Sequence, residues 1–281
     1  LETPIEKAAT FAERGVKLDP ANQRVRMIMA FILLFKNELA AGLAEVERAL
    51  QLNPNALVVL ENLGYLMTLF GDWQRGPALI NQAIEQNPYY NITVHYALWV
   101  DWIRQEKYEQ AMRVLEHGLI YSILINRDPA QELQQYRDLV GIDDPSGYIM
   151  ILRYGYPDKR DWTGIRQGIA EEQFFLVFRD ILKIRRHCLI GPAMPDRTVV
   201  YIFSKENDEY ASRVRSIGFA EEIMREIRKV SDMRFCIGIG SIRSDDQIAY
   251  SYEESVKALR EGYGDCIVHI SDISQKKSEE E

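Results

Sequence analysis

Cysteine, histidine and long apolar runs are all scarce in this 281-residue chain, and each scarcity closes off a class of function. The three cysteines, Cys188, Cys236 and Cys266, are odd in number and widely spaced, which argues against a disulfide framework. Each lies in an apolar stretch that reads as a strand, so all three are expected to be small buried thiols. The four histidines, His95, His117, His187 and His269, are scattered without metal-ligand spacing. No metal is assigned and no cofactor is expected. The longest apolar runs, such as Phe31 to Phe35, are far too short to span a bilayer. Positive charge is also in deficit, with 34 Lys and Arg against 42 Asp and Glu and a formal net charge of -8. An acidic chain repels phosphate backbones, so direct nucleic-acid binding is not expected. The chain opens on Leu1 with no signal-peptide pattern and reads as a fragment or processed form, expected in the cytoplasm.

What is present begins with a repeat. Three phrases, Leu18-Asp19-Pro20, Leu52-Asn53-Pro54 and Gln86-Asn87-Pro88, place their prolines 34 residues apart, twice. Proline cannot continue a helix and restricts the residue before it, and Asp or Asn there suits a turn. Each phrase therefore ends one helix and starts the next. Small residues recur at fixed offsets: Gly15, Ala49 and Ala83 lie five before the prolines, and Ala8, Gly42 and Gly76 twelve before. Two helices that cross closely need small side chains at the crossing. Leu63-Gly64 falls in the first helix of the middle repeat, while Gly71-Asp72 and Glu106-Lys107 mark turns inside repeats.

Residues 1 to 118 thus resemble the tetratricopeptide (TPR) family, whose period is 34 residues. The expected signature Trp is absent, Leu60 standing in its place, and the first repeat contributes only its second helix, from about Thr3 to Leu18. The resemblance implies an α-solenoid of helix pairs with a concave face. Carried over by position, that face would present Arg24, Met27, Phe31, Glu61, Tyr65, Thr68, His95, Trp99 and Trp102 to a protein or peptide partner. Phe31, Tyr65 and Trp99 have an equally good reading as packing between repeats. Trp and Tyr are common interface anchors, and Trp99 with Trp102 one turn away is more aromatic surface than packing requires. So short an array is close to the minimum for a stable solenoid and is expected to lean on the second domain, a partner or another copy.

Beyond Gly118 the pattern changes. A helical stretch from Leu119 to Val140 is expected to break at Pro129. Tyr148 to Tyr154 reads as a strand, Asp161 to about Arg186 as a helix, and His187 to Gly191 with Thr198 to Ser204 as a β-hairpin. Asp208 to Val230 is an amphipathic helix with Phe219, Ile223, Ile227 and Val230 on one face. Phe235 to Ser241 is a strand, Asp246 to Gly262 a helix and Cys266 to Ser271 a last strand. The order is β-α-β-β-α-β-α-β, followed by a charged tail over 275–281 expected to be disordered.

Phe235-Cys-Ile-Gly-Ile-Gly-Ser241, followed by Ile248, Ser251-Tyr252-Glu253-Glu254 and Ala258-Leu259, resembles the end of a degenerate GGDEF-like domain of bacterial transcription regulators, including AraC-type response regulators and sugar-diacid regulators. The stretch from Leu119 to Ile151 is similar to the linker region of the AraC-type proteins. This implies a ferredoxin-like, nucleotide-cyclase-like α/β sandwich over 119–274. A cyclase needs carboxylates to hold Mg²⁺ against a triphosphate. The first strand offers Ile149, Met150, Ile151, Leu152 and Arg153, and the hairpin offers only Asp196. Cyclase activity is therefore not expected. Gly238 and Gly240 lack the full spacing of a phosphate loop and read better as sites of close helix approach or of a strand bend.

The expectation is a non-enzymatic signalling module: the first half binds a partner, and the second transmits a signal or self-associates as a homodimer. The alternative is a small-molecule or nucleotide sensor with a remnant cleft at Arg153, Asp196 and Arg197. No DNA-binding region is evident. One helix is expected to run from Lys107 into the linker, as in an engineered fusion or an unusual natural one.

Overall fold

The computed structural model describes residues 3–87, 93–125, 129–155, 173–205 and 208–273. The chain divides into two compact units, Leu1–Val114 and Leu115–Glu281.

The first unit is built of helices in sequence: α1 (Pro4–Leu18), α2 (Gln23–Phe35), α3 (Leu39–Leu52), α4 (Leu57–Leu69), α5 (Arg75–Gln86) and α6 (Thr93–Arg104), with α7 (Tyr108–Leu124) containing the boundary. The caps are written locally. Thr3 and Glu6 form a reciprocal capping box ahead of Pro4. The Asn22 side chain accepts from the Val25 amide at 3.2 Å. The helices stop where the proline phrases put them, α1 at Leu18, α3 at Leu52 and α5 at Gln86, with Asn53 and Asn87 extended. Pro88 lies outside the described residues. The turn inside each pair passes through a left-handed residue, Asn37 (φ 60°), Gly71 (φ 93°) and Glu106 (φ 59°). Glycine adopts this conformation freely and asparagine readily, whereas Glu106 is held there at a cost.

The small residues sit at the helix crossings. A Cβ on Gly76 would lie 2.5 Å from the Thr68 amide nitrogen and 2.9 Å from the Gly64 carbonyl oxygen. One on Gly42 would lie 2.6 Å from Leu34 Cγ. Ala49 and Ala83 are fully buried, the former in a core with Ala30, Val46, Val59, Leu63 and Met67. Because backbone faces Gly76 on two sides, no rotamer change relieves a larger side chain. Gly76→Val is expected to cost about 1–3 kcal/mol through forced separation of α4 and α5. The urea midpoint followed by Trp fluorescence measures it, since three of the four tryptophans, Trp73, Trp99 and Trp102, lie in this unit.

The second unit holds α8 (Ala130–Val140), β1 (Ser146–Gly155), α9 (Gln173–Arg185), β2 (Cys188–Ile190), β3 (Arg197–Phe203), α10 (Glu209–Ile227), β4 (Arg234–Ile239), β5 (Arg243–Ser244), α11 (Ile248–Glu261) and β6 (Cys266–His269). The helix expected from Asp161 starts, among the described residues, at Gln173, and the tail over 275–281 lies outside them. The sheet is mixed, in the order β2-β3-β1-β4-β6, with short β5 pairing the start of β1. β1 is antiparallel to β3 and β4, and β6 is parallel to β4.

Alternation along β1 separates two layers. Tyr148, Met150, Leu152 and Tyr154 join Phe174, Phe178 and Leu182 of α9 and Phe219, Ile223 and Ile227 of α10 in the main core. On the other face α11 lies close on β1 and β4. A Cβ on Gly238 would sit 2.9 Å from the Leu259 amide nitrogen, and one on Gly240 would collide with Ser251. Ser251 is fully buried, and its hydroxyl accepts from the Ile149 amide at 2.9 Å. These glycines let a helix approach a strand and form no phosphate loop.

One expectation fails. Cys236 and Cys266 are not free thiols but form a disulfide between β4 and β6, with Cα atoms 4.6 Å apart. They are register partners on adjacent parallel strands, a relation that spacing in sequence does not carry. Cys188 is free and buried, and burial pushes its thiol up to about 12.

Candidate functional site

In the first unit, α2 touches α4 and α4 touches α6, so the first helices of successive pairs stand side by side. Their exposed side is apolar. It carries Ile28 and Phe35 on α2, Val58 and Leu69 on α4, and Tyr96 and Ile103 on α6, each more than a third exposed. Half-buried Phe31, Tyr65 and Trp99 lie between them. The rings associate: Phe35 meets Phe70 edge-on at 5.6 Å, and Tyr96 lies 6.1 Å from Trp99.

The nine residues predicted for this face divide. Arg24 is exposed, while Met27, Phe31, Tyr65, Trp99 and Trp102 are half-buried. Met27 packs against the core of α3 and α4, and the Lys107 ammonium sits 4.9 Å over the Trp102 ring. Glu61, Thr68 and His95 are buried and are corrected as candidate contacts for a partner. Thr68 has no exposed surface, and its hydroxyl donates to the Gly64 carbonyl at 2.8 Å, beneath α5. Burial alone takes the His95 imidazole down to about 4, which keeps it neutral near neutral pH. Sequence reading missed Ile28, Phe35, Leu69, Tyr96 and Ile103. The signal was available, since Phe35, Leu69 and Ile103 are related by the same 34-residue step as the prolines.

In the second unit, the register sets Arg153 of β1 directly opposite Arg197 of β3. They do not converge on a cleft. Arg153 donates to the Gly262 carbonyl at 3.0 Å, toward the disulfide, and Asp196 holds Arg197 at 3.2 Å. The turn carrying Asp196 is pinned by Tyr154, whose hydroxyl donates to the Met194 and Arg197 carbonyls at 2.5 and 2.8 Å. Burial pushes that phenol well above its ordinary value, so it remains a donor.

The described cavities open at the opposite end of the sheet. One, of about 370 Å³, is walled by the starts of β1 and α10, the segment after β4 and the end of β6, and includes Ser241, Arg243 and His269. The other, of about 280 Å³, lies among Tyr148, Arg186, Ser204 and Arg215. Neither is lined by Arg153, Asp196 or Arg197.

Known proteins add little. No family model matches the chain, and no curated protein matches it. Among solved structures it is similar to YrrB, described as a TPR protein with an unusual peptide-binding site. The two share 15% sequence identity over 47% of this chain and 84% of that one, with a TM-score of 0.34. The helix-pair repeat described above is defined by its own period and packing. Among the described residues no group of three or more His, Cys, Asp or Glu side chains could hold a metal ion, and no helix is long and apolar enough to cross a membrane.

Proposed function

We propose that the first unit is a TPR-type interaction module whose first-helix face grips an apolar, aromatic-bearing segment of a protein partner. The single observation carrying this reading is the partly exposed apolar stripe that repeats at the 34-residue step, Phe31, Tyr65 and Trp99 with Phe35, Leu69 and Ile103, flanked by exposed Ile28, Val58 and Tyr96. A surface that repeats apolar groups at the step of the scaffold presents evenly spaced pockets to an extended or helical guest. Arg24 is the one charged residue of the predicted face that stays exposed, so affinity depends chiefly on buried area and aromatic anchors rather than on ion pairing.

The second unit is a non-catalytic signal-transmitting or self-associating module of degenerate GGDEF-like type. Support comes from the antiparallel β2–β3 hairpin beside a central β1, with helices on both faces of the sheet, an arrangement expected of a ferredoxin-like, cyclase-like sandwich. The non-catalytic reading is supported by β1, whose Ile149 to Arg153 segment carries no carboxylate, and by Asp196, whose carboxylate is engaged by Arg197.

The test is selection of a displayed peptide library on the full chain, followed by calorimetric titration of the enriched peptide. Tyr65→Ala combined with Trp99→Ala is expected to weaken binding about tenfold or more while far-UV circular dichroism stays helical. Failure to enrich any apolar sequence, or equal affinity for both proteins, overturns the reading.

A further inference from the structure

The 370 Å³ cavity of the second unit is of a size that holds a small metabolite, and its lining is polar apart from Ile242. Four separate segments supply the polar groups: Ser146 from the start of β1, whose hydroxyl donates to the Ser204 carbonyl, Glu209 and Ser212 from the first turn of α10, Ser241, Arg243 and Ser244 from the strand-and-turn after β4, and His269 from the end of β6.

His269 is the informative member. It is 2% exposed, yet it lines the cavity. Its Nδ1 accepts the Ser271 amide at 3.2 Å, which fixes the proton of the neutral ring on Nε2. Among the described residues no hydrogen-bond acceptor lies on that Nε2–H. The Nε2 atom is not fully buried, so its N–H is available to a group that enters the cavity. Burial lowers the imidazole pKa, outweighing the nearby Asp272, Glu254 and Glu209 carboxylates, while Arg213 pushes in the same direction as burial.

The neighbouring groups are held ready. Arg243 is paired with Glu254, and the same carboxylate accepts the Ser241 amide at 2.8 Å, so one glutamate positions both. Arg213 is engaged by Asp272, with Nε to Oδ1 at 2.7 Å, which steadies the segment just after His269. The hydroxyls of Ser212, Ser241 and Ser244 make no hydrogen bond to another described residue. Donors therefore dominate the wall: an imidazole N–H, a guanidinium and three hydroxyls. Glu209, exposed at the rim, is the one lining carboxylate among the described residues.

We infer that this cavity binds a small metabolite through an oxyanion group, a carboxylate or phosphate received by Arg243, His269 Nε2–H and the serine hydroxyls. The site lies at the end of the sheet away from Arg153 and Asp196, and its existence does not depend on the partner-binding role of the first unit.

The test uses the full chain, labelled with ¹⁵N, titrated separately with inorganic phosphate and with succinate while the His269 imidazole nitrogens are followed by NMR. Saturable shifts with one of the two anions are expected, and the responding anion distinguishes phosphate from carboxylate ligands. Arg243→Gln is expected to weaken that binding about tenfold or more. Because Arg243 also partners Glu254, Ser241→Ala serves as the second variant; it keeps the backbone amide bond to Glu254 and removes only a wall hydroxyl. It too is expected to reduce affinity, with an unchanged spectrum elsewhere. Absence of a saturable shift with both anions, or shifts that persist unaltered in both variants, overturns the inference.

Discussion

Asp245→Ala is expected to destabilise the second unit by about 3–5 kcal/mol, the range for removing one partner of a buried ion pair. Asp245 lies in the short turn ahead of α11, and Arg137 on α8 is its partner. Their side chains are 7% and 4% exposed, so neither charge reaches bulk water. The Tyr201 hydroxyl donates to Asp245 Oδ1 at 2.7 Å, and burial raises the Tyr201 phenol well above its ordinary value, so it stays a donor. Alanine at position 245 therefore leaves a guanidinium and a hydroxyl buried without their acceptor. The pair itself need not be strongly stabilising, because two buried charges lose most of their attraction to desolvation. That distinction is measurable. Adding Arg137→Met and Tyr201→Phe to Asp245→Ala removes the stranded groups and is expected to recover more than half of the loss. Hydrogen exchange at the β1 amides reads the stability of this unit separately from the first. A loss below about 1 kcal/mol for the single variant, or no recovery in the triple, contradicts this account.

Legibility in the sequence followed locality. The prolines at 20 and 54, the small residues at 42, 49, 76 and 83 and the breaks near 71 and 106 are each read from a few neighbouring residues, and the helices begin and end accordingly. The strands of the second unit were equally local, because alternating or continuous apolar runs bounded by turn residues suffice to place them. What escaped depends on which distant residues meet. The face of the first helices was placed about one residue out of phase at Glu61, Thr68 and His95. A single residue is 100° of helix rotation, enough to move a side chain from the exposed stripe to the contact with the next helix. Arg153, Asp196 and Arg197 were joined by expectation of a cleft, whereas the register gives Arg153 a backbone carbonyl partner and Asp196 its own neighbour. The cavity at His269 draws on segments more than 50 residues apart in the chain, and no periodicity links Ser212 to His269.

Reduction of the Cys236–Cys266 disulfide is expected to lower the stability of the second unit by about 4 kcal/mol on the chain-entropy estimate for a 30-residue separation, and by about 2–5 kcal/mol on the range seen for native bridges. β6 is a four-residue edge strand with backbone pairing to β4 alone, so it has little else to hold it in register. The bridge fixes that register at one end, where Gly262 packs against both sulfurs; a Cβ there would lie 2.5 Å from Cys236 Sγ and 2.6 Å from Cys266 Sγ. Arg153 donates to the carbonyl of the same glycine, so β1, β4, β6 and the end of α11 meet at this point. Cys188 takes no part: its thiol is buried in β2 at the far edge of the sheet and stays protonated, so disulfide exchange with it is not expected. Alkylation in denaturant followed by mass spectrometry should therefore modify one cysteine in the oxidised chain and all three after reduction. Under matched conditions the reduced chain should exchange the β6 amides faster, with Cys266→Ser behaving alike. Because β6 ends on His269, loosening it should also weaken anion binding in the neighbouring cavity, which links the two sites through one short strand. Three alkylated cysteines without reductant, or identical β6 exchange in both states, would remove the bridge from the account and leave β6 held by its hydrogen bonds to β4 and its packing on α10 and α11.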